Sequence, residues 1–377
     1  MATHPPSPAC TPGVAGGGAL NDRRAGLALD IQDVDRRFYA ERLRDWLPGR
    51  LVDIHTHVWQ AVDFSESSDP ATRTVTWPAR VARENPIEDL LETYRLLLPG
   101  KRVTPLVFGQ VPKNGNLDRV NRYVAESARR FQVPALIFSD PAWSAGELER
   151  RIVADGFIGA KSYLSLAPAY LPAGEIRITD FFPRHQLEVH NRRGWIVMLH
   201  IPRDARLKDP VNLAQLLEIE RDFPDLKLIV AHVGRAYCAG DVGNAFEVLA
   251  ATKNMCFDFC ANTNAEVFGQ LLGCVGPRRV LFGTDLPILR MRMRRIERDG
   301  RYVNIVPRGL YGDVSGDRNM AEAEGAEAAA LTFFLYEELD AFRRAAERAG
   351  LSRADIEAVF CHNAERLIAA AGGSIGD

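Results

Sequence analysis

The chain has no Cys-x-x-Cys pair, no long apolar run and no surplus of either charge, and each absence excludes something. Its six cysteines (Cys10, Cys238, Cys256, Cys260, Cys274 and Cys361) are spread over 377 residues. Such dilution argues against a disulfide framework and reads as reduced, mostly buried thiols. No stretch approaches the roughly 18 consecutive apolar residues that a membrane span requires. The N-terminus lacks a basic region followed by an apolar one, so a cytoplasmic protein with no membrane partner is the expectation. Lys plus Arg number 47 against 49 for Asp plus Glu, and nothing in that balance points to nucleic acid. What is present is a globular composition, 46% hydrophobic and 25% charged, with ample material for a large core.

Periodicity gives the organisation. Residues 1–26 are rich in Pro, Gly, Ala, Ser and Thr without apolar period, which predicts a disordered tail. Residues 27–48 read as a helical extension. Within 30–47, Ile31, Val34, Phe38, Tyr39, Leu43 and Trp46 recur at helical spacing, and Pro48-Gly49 stops the run. From 49 to 372 eight short apolar runs alternate with segments of helical period: 51–55, 103–108, 134–139, 157–162, 195–200, 226–232, 255–260 and 279–284. Pro86, Asn116 and a Ser144/Glu147 capping box open helices between them. Strict alternation implies a parallel sheet with crossover helices, and eight strands close a barrel. The expected fold is therefore α/β, a (β/α)8 TIM barrel with an N-terminal extension and extra C-terminal helices near 327–349 and 352–370. Two segments break the rhythm and read as long loops over the barrel's C-terminal face: 60–85, and 286–325 with Arg290, Arg292, Arg294, Arg295, Arg298 and Arg301.

The first strand ends in His55-Thr56-His57. Alternate strand side chains share a face, and two neutral imidazoles aimed at one point suit a divalent metal. His200, His232 and Asp285 end the fifth, sixth and eighth runs, and the strand C-termini of a barrel converge on one mouth. Any one of these alone reads as a satisfied polar residue. Four of eight histidines at apolar strand ends make a metal site the expectation.

Asp53-Ile54-His55-Thr56-His57, His200, Ala231-His232-Val233-Gly234, Gly283-Thr284-Asp285 and Asn363-Ala364-Glu365-Arg366-Leu367 together resemble the amidohydrolase superfamily. Within it the pattern is similar to the branch of aminocarboxymuconate-semialdehyde decarboxylases, resorcylate-type decarboxylases and sugar lactonases, over about residues 50–370. The resemblance implies that His55, His57, His200 and Asp285 bind one divalent metal, usually Zn2+, with a place left for water that His232 orients or deprotonates. Zinc lowers the pKa of bound water to about 7; Asp285 can take its proton and His232 can polarise a carbonyl. Asp285 and His232 are thus the expected catalytic pair, and hydrolysis of a small ester, lactone or amide the expected reaction. The alternative is a metal-dependent decarboxylase of an aromatic or muconate-type acid, which shares these ligands. A barrel that binds metal or ligand without catalysis is the second alternative. Some superfamily members carboxylate a lysine where this chain has Lys161, to bridge two metals, but the wider pattern resembles the one-metal branch.

Arg203 and Arg235 follow His200 and His232 by three residues, in loops that rim the mouth beside the arginine-rich segment. Guanidinium forks match carboxylates. This predicts a small carboxylate-bearing substrate held by Arg203, Arg235, Arg290 and Lys161, with Tyr163, Trp59 and Trp77 lining the pocket. Arg235 stands where relatives usually carry a small residue. Cys256, Asp258 and Cys260 share one face of the seventh strand and read as barrel packing. Asp53 reads as an acceptor behind the histidines or a buried, hydrogen-bonded acid, and His185, His190 and His362 as packing or surface residues. The extra terminal helices suggest a homodimer.

Overall fold

The computed structural model describes residues 27, 29–64, 80–111 and 116–375; the expected tail 1–26 and Trp77 lie outside them. Eight parallel strands follow one another in sequence order: β1 (Arg50–His57), β2 (Arg102–Phe108), β3 (Ile137–Phe138), β4 (Gly159–Lys161), β5 (Ile196–Leu199), β6 (Lys227–Val230), β7 (Cys256–Asp258) and β8 (Val280–Leu281). Each falls within or overlaps one of the expected apolar runs. Hydrogen bonds close the ring at its two thin seams. Between β2 and β3, Leu136 N–H donates to Val107 O at 3.0 Å; between β1 and the end of β8, Ile54 N–H donates to Phe282 O at 3.0 Å and Asp285 N–H to His55 O at 2.8 Å. The chain is a (β/α)8 barrel.

Strand alternation sorts the core into two layers. Val52, Ile54, Met198, Ile229, Cys256 and Leu281 form an inner cluster, plugged by Ala364 and Ile368 of the helix Asn363–Ala370. Leu51, Val197, Leu228, Phe257 and Val280 face outward to the helices. Those helices start where the sequence indicates: Asn116 Oδ1 accepts from Arg119 N–H at 3.0 Å and Ser144 Oγ from Glu147 N–H at 3.2 Å, each satisfying a donor the first turn leaves open. Under β7 and β8, Phe259 stacks on Phe342 with ring centroids 4.3 Å apart, and Phe360 meets Phe282 at 5.1 Å. This aromatic cluster ties the helix Phe334–Arg348 to the barrel.

The segment after β8 differs from expectation. Residues 286–325 are not simply a loop: β9 (Arg294–Arg298) and β10 (Arg301–Pro307) form an antiparallel hairpin, and β11 (Met320–Ala323) adds to β10 in parallel. Val303, Ile305, Ala323 and Leu331 give this small sheet its own core. The expected helix near 327–349 is two, Gly325–Ala329 and Phe334–Arg348, and a π-turn over Ala358–His362 interrupts the last one. The N-terminal extension is helical from Asp33 to Phe38 and continues as a π-turn through Leu43. It is pinned by Asp35, which pairs with both guanidinium nitrogens of Arg292 at 3.1 and 2.6 Å and accepts from Thr332 Oγ1 at 2.7 Å. Among the described residues no helix is long and apolar enough to cross a membrane.

Candidate metal centre

β1 delivers His55 and His57 to the barrel mouth past an irregularity in its pairing between Asp53 and Thr56; bulges of this kind re-aim side chains beside sites. β8 can run close beside His55 because residue 283 is glycine: a Cβ there would fall 2.9 Å from His55 Cβ. Just beyond it Asp285 takes φ 55°, and after β6 His232 takes φ 57°. Left-handed backbone at non-glycine residues costs of order 1–3 kcal/mol and concentrates at functional sites.

The imidazoles share one hydrogen-bond pattern. His55 Nδ1 lies 2.9 Å from Asp258 Oδ2, His57 Nδ1 2.8 Å from Gly109 O and His232 Nδ1 3.1 Å from Cys260 O. Facing oxygen, each Nδ1 is the protonated nitrogen, which leaves Nε2 as an acceptor. His55 Nε2 is buried without a hydrogen-bond partner, as is His200 Nδ1. Asp285 Oδ1 stands 3.1 Å from His57 Nε2 and 3.6 Å from His55 Nε2. Two acceptors at 3.1 Å repel unless a proton or cation lies between them, so these residues fit a divalent ion. His55, His57 and Asp285 bring their ligand atoms within 4.8 Å of one another. His200 joins no such group; its ring packs 5.1 Å from that of His232 and 4.8 Å from Tyr163.

Electrostatics keep the set in metal-binding form. Burial, with Lys161 nearby, pushes His55 down to about 3. Burial likewise lowers His200, helped by His232 and Arg235, and lowers His232. Neutral imidazoles result. Burial would raise Asp285, but His57, His232 and His55 hold it below the usual carboxylate range.

Sequence reasoning missed three residues here. Asp258 and Cys260, read as packing, turn toward the mouth: Asp258 Oδ1 accepts the His232 N–H at 2.7 Å, and the Cys260 sulfur lies 2.9 Å from the same oxygen. Their i, i+2 spacing, alternating with Phe257 and Phe259, was visible; that this face looks onto His55 and His232 was not. A third is Glu338, on the buried stripe with Phe334 and Phe342. It is 0% exposed, and burial, with Asp53, Asp258 and Asp285 around it, raises its pKa well above the usual value. Asp53 is a buried, hydrogen-bonded acid: Tyr94 OH and Thr284 Oγ1 donate to it at 2.7 and 2.6 Å, and burial outweighs them to raise it to about 7.

The expected substrate residues separate. Lys161 is buried with its ammonium 5.3 Å above the Phe108 ring, and burial lowers its pKa against the pull of Asp258 and Asp285. Arg235 remains at the rim, one guanidinium nitrogen donating to Pro202 O at 3.1 Å, close enough to help lower His200 and to oppose the rise that burial imposes on Tyr163. Three others are engaged elsewhere. Arg203 turns to Ile176 O and toward Asp209. Trp59 is buried, its indole donating to Arg83 O at 3.2 Å. Arg290 is buried, donating to Asn85 Oδ1 and to Asp89 O.

The amidohydrolase family model matches residues 52–369. The chain belongs to the amidohydrolase family. No curated protein matches its sequence, but solved structures share its fold. An amidohydrolase from Burkholderia multivorans superposes with a TM-score of 0.54 at 12% identity, over 84% of this chain and 98% of that one. A probable 2-pyrone-4,6-dicarboxylic acid hydrolase from Acinetobacter baumannii, with citric acid bound, gives 0.51 at 14%, over 84% and 98%. A dihydroxybenzoic acid decarboxylase from Polaromonas sp. JS666, with manganese and 2-nitroresorcinol, gives 0.50 at 16%, over 85% and 97%. At these identities the likeness concerns the fold alone.

Proposed function

We propose that this amidohydrolase-family member is a metal-dependent hydrolase that cleaves a small, carboxylate-bearing ester, lactone or amide. The observation that carries the reading is the shared contact pattern: His55, His57 and His232 each face Nδ1 to an oxygen, which assigns the proton there and leaves Nε2 as an acceptor. His55, His57 and Asp285, joined by His200, would hold one divalent ion, and a nitrogen-rich set with one carboxylate suits Zn2+. When bound, that ion supplies Lewis-acid polarisation of a carbonyl and acidification of water. Asp285, held anionic, accepts the proton. His232, neutral and fixed by Asp258 and Cys260 O, passes it to the leaving group. Tyr163, its pKa raised by burial to about 12 and its ring beside His200, would donate a hydrogen bond to the substrate, and Arg235 would anchor the substrate carboxylate at the rim.

A carboxy-lyase reading uses the same side chains. Lys161 favours it, a buried cation with no ion pair among the described residues, placed to bind the carboxylate that would depart. Metal-loaded protein offered lactones and esters in a pH-stat, and dihydroxybenzoates and muconate-type acids under CO2 detection, tests the proposal. Acid release supports hydrolysis; CO2 release without it replaces hydrolysis by the lyase.

A further inference from the structure

We propose that a second, buried pocket lies directly behind the first metal centre, formed by Cys260 Sγ and the Nδ1 atoms of His55 and His232, and that it takes a soft cation such as Cd2+ at the expense of the first site. The sulfur stands 3.3 Å from His55 Nδ1 and 3.1 Å from His232 Nδ1. The three ligand atoms lie within 4.8 Å of one another, and all three residues are buried. Donors around one zinc-sized ion, bound at about 2.0–2.3 Å, stand a little over 3 Å apart, so the spacing asks little movement of strands β1, β6 and β7. Asp258 supplies charge: Oδ1 is 2.9 Å from the sulfur and Oδ2 2.9 Å from His55 Nδ1. Thiolate selects soft ions over hard ones, which sets this pocket apart from the nitrogen and oxygen set of His55, His57 and Asp285.

Tautomerism makes the two sites exclusive. A neutral imidazole has one lone pair for a metal. With Nδ1–H directed at Asp258 and at Cys260 O, His55 and His232 offer Nε2. A soft ion on the Nδ1 side requires both ring protons to move to Nε2, where they block the first site. The Cys260 S–H proton leaves to solvent as the sulfur–metal bond forms, one proton per ion. Each chain therefore holds an ion on one side of His55 or on the other. The pocket does not depend on which reaction the first site runs.

The test is cadmium titration of the metal-free full chain, read by thiolate-to-cadmium charge-transfer absorption in the ultraviolet. Wild type develops the band to one equivalent, His57→Ala, which lacks the first site, also develops it, and Cys260→Ser and Cys260→Ala do not, while each cysteine variant still binds one Mn2+ per chain. Manganese loaded first suppresses the band in wild type. No band in wild type, a band that survives in both cysteine variants, or loss of the band in His57→Ala would each overturn the pocket, the last because sulfur would then serve only the first ion.

Discussion

Asp258 Oδ2 lies 2.9 Å from His55 Nδ1 while its Oδ1 accepts the His232 amide at 2.7 Å, so one carboxylate of β7 aligns histidines from β1 and β6. Outer partners that fix a ligand's tautomer are worth roughly 10- to 100-fold in metal affinity. Asp258→Asn should weaken metal binding by about that factor in a chelator competition, with the fold retained by circular dichroism. Unaltered affinity would remove Asp258 from the centre.

Glu338 makes stability depend on pH with a definite sign. Its folded pKa lies well above the ordinary carboxylate value, so between the two values the folded chain holds a proton that the unfolded chain has lost. The contribution is full below the unfolded value and fades as pH rises through the folded one. Glu338→Gln, shaped like the protonated acid, should flatten this slope and gain on wild type as pH rises from about 4 towards neutrality and beyond. Denaturant titrations of the metal-free protein across that range would show it; parallel curves would mean Glu338 is not protonated in the fold.

The extension is held by a buried ion pair, with Arg292 and Asp35 side chains 7% and 0% exposed. Removing one partner of such a pair costs about 3–5 kcal/mol. Asp35→Ala should lose that much in equilibrium unfolding and open residues 33–43 to proteolysis. A loss below about 1 kcal/mol, the size of an exposed pair, would show the extension to be held by its apolar contacts alone.

Arg235→Ala should raise KM for a carboxylate substrate by roughly 10- to 100-fold, the worth of hydrogen bonds to a charged group, with metal content unchanged. Equal kinetics on charged and uncharged analogues would show that Arg235 serves only its contacts to the carbonyls of Ile201, Pro202 and Arg203.

The barrel was legible because each strand is an apolar run bounded by helix signals, and His55, His57, His200, His232 and Asp285 stand out as polar residues at the ends of those runs. What escaped was set by contacts distant in sequence. Arg290, expected to hold a substrate carboxylate, and Arg292, in the same basic segment, are instead received by Asn85 and Asp35, more than two hundred residues away. Strands β9 and β10 have no clean apolar alternation because their small sheet buries few residues. Asp258 and Cys260 were placed on one face of β7, but only the three-dimensional register shows that this face looks onto His55 and His232.

On this reading His55, His57 and Asp285 hold one hard or borderline divalent ion on their Nε2 and carboxylate side. Manganese content per chain after reconstitution and gel filtration tests it most directly, because the thiolate side does not compete for this ion. The structure predicts one Mn2+ per wild-type chain and almost none in His57→Ala or Asp285→Ala. Equal content in wild type and variants, or two ions in wild type, would contradict it.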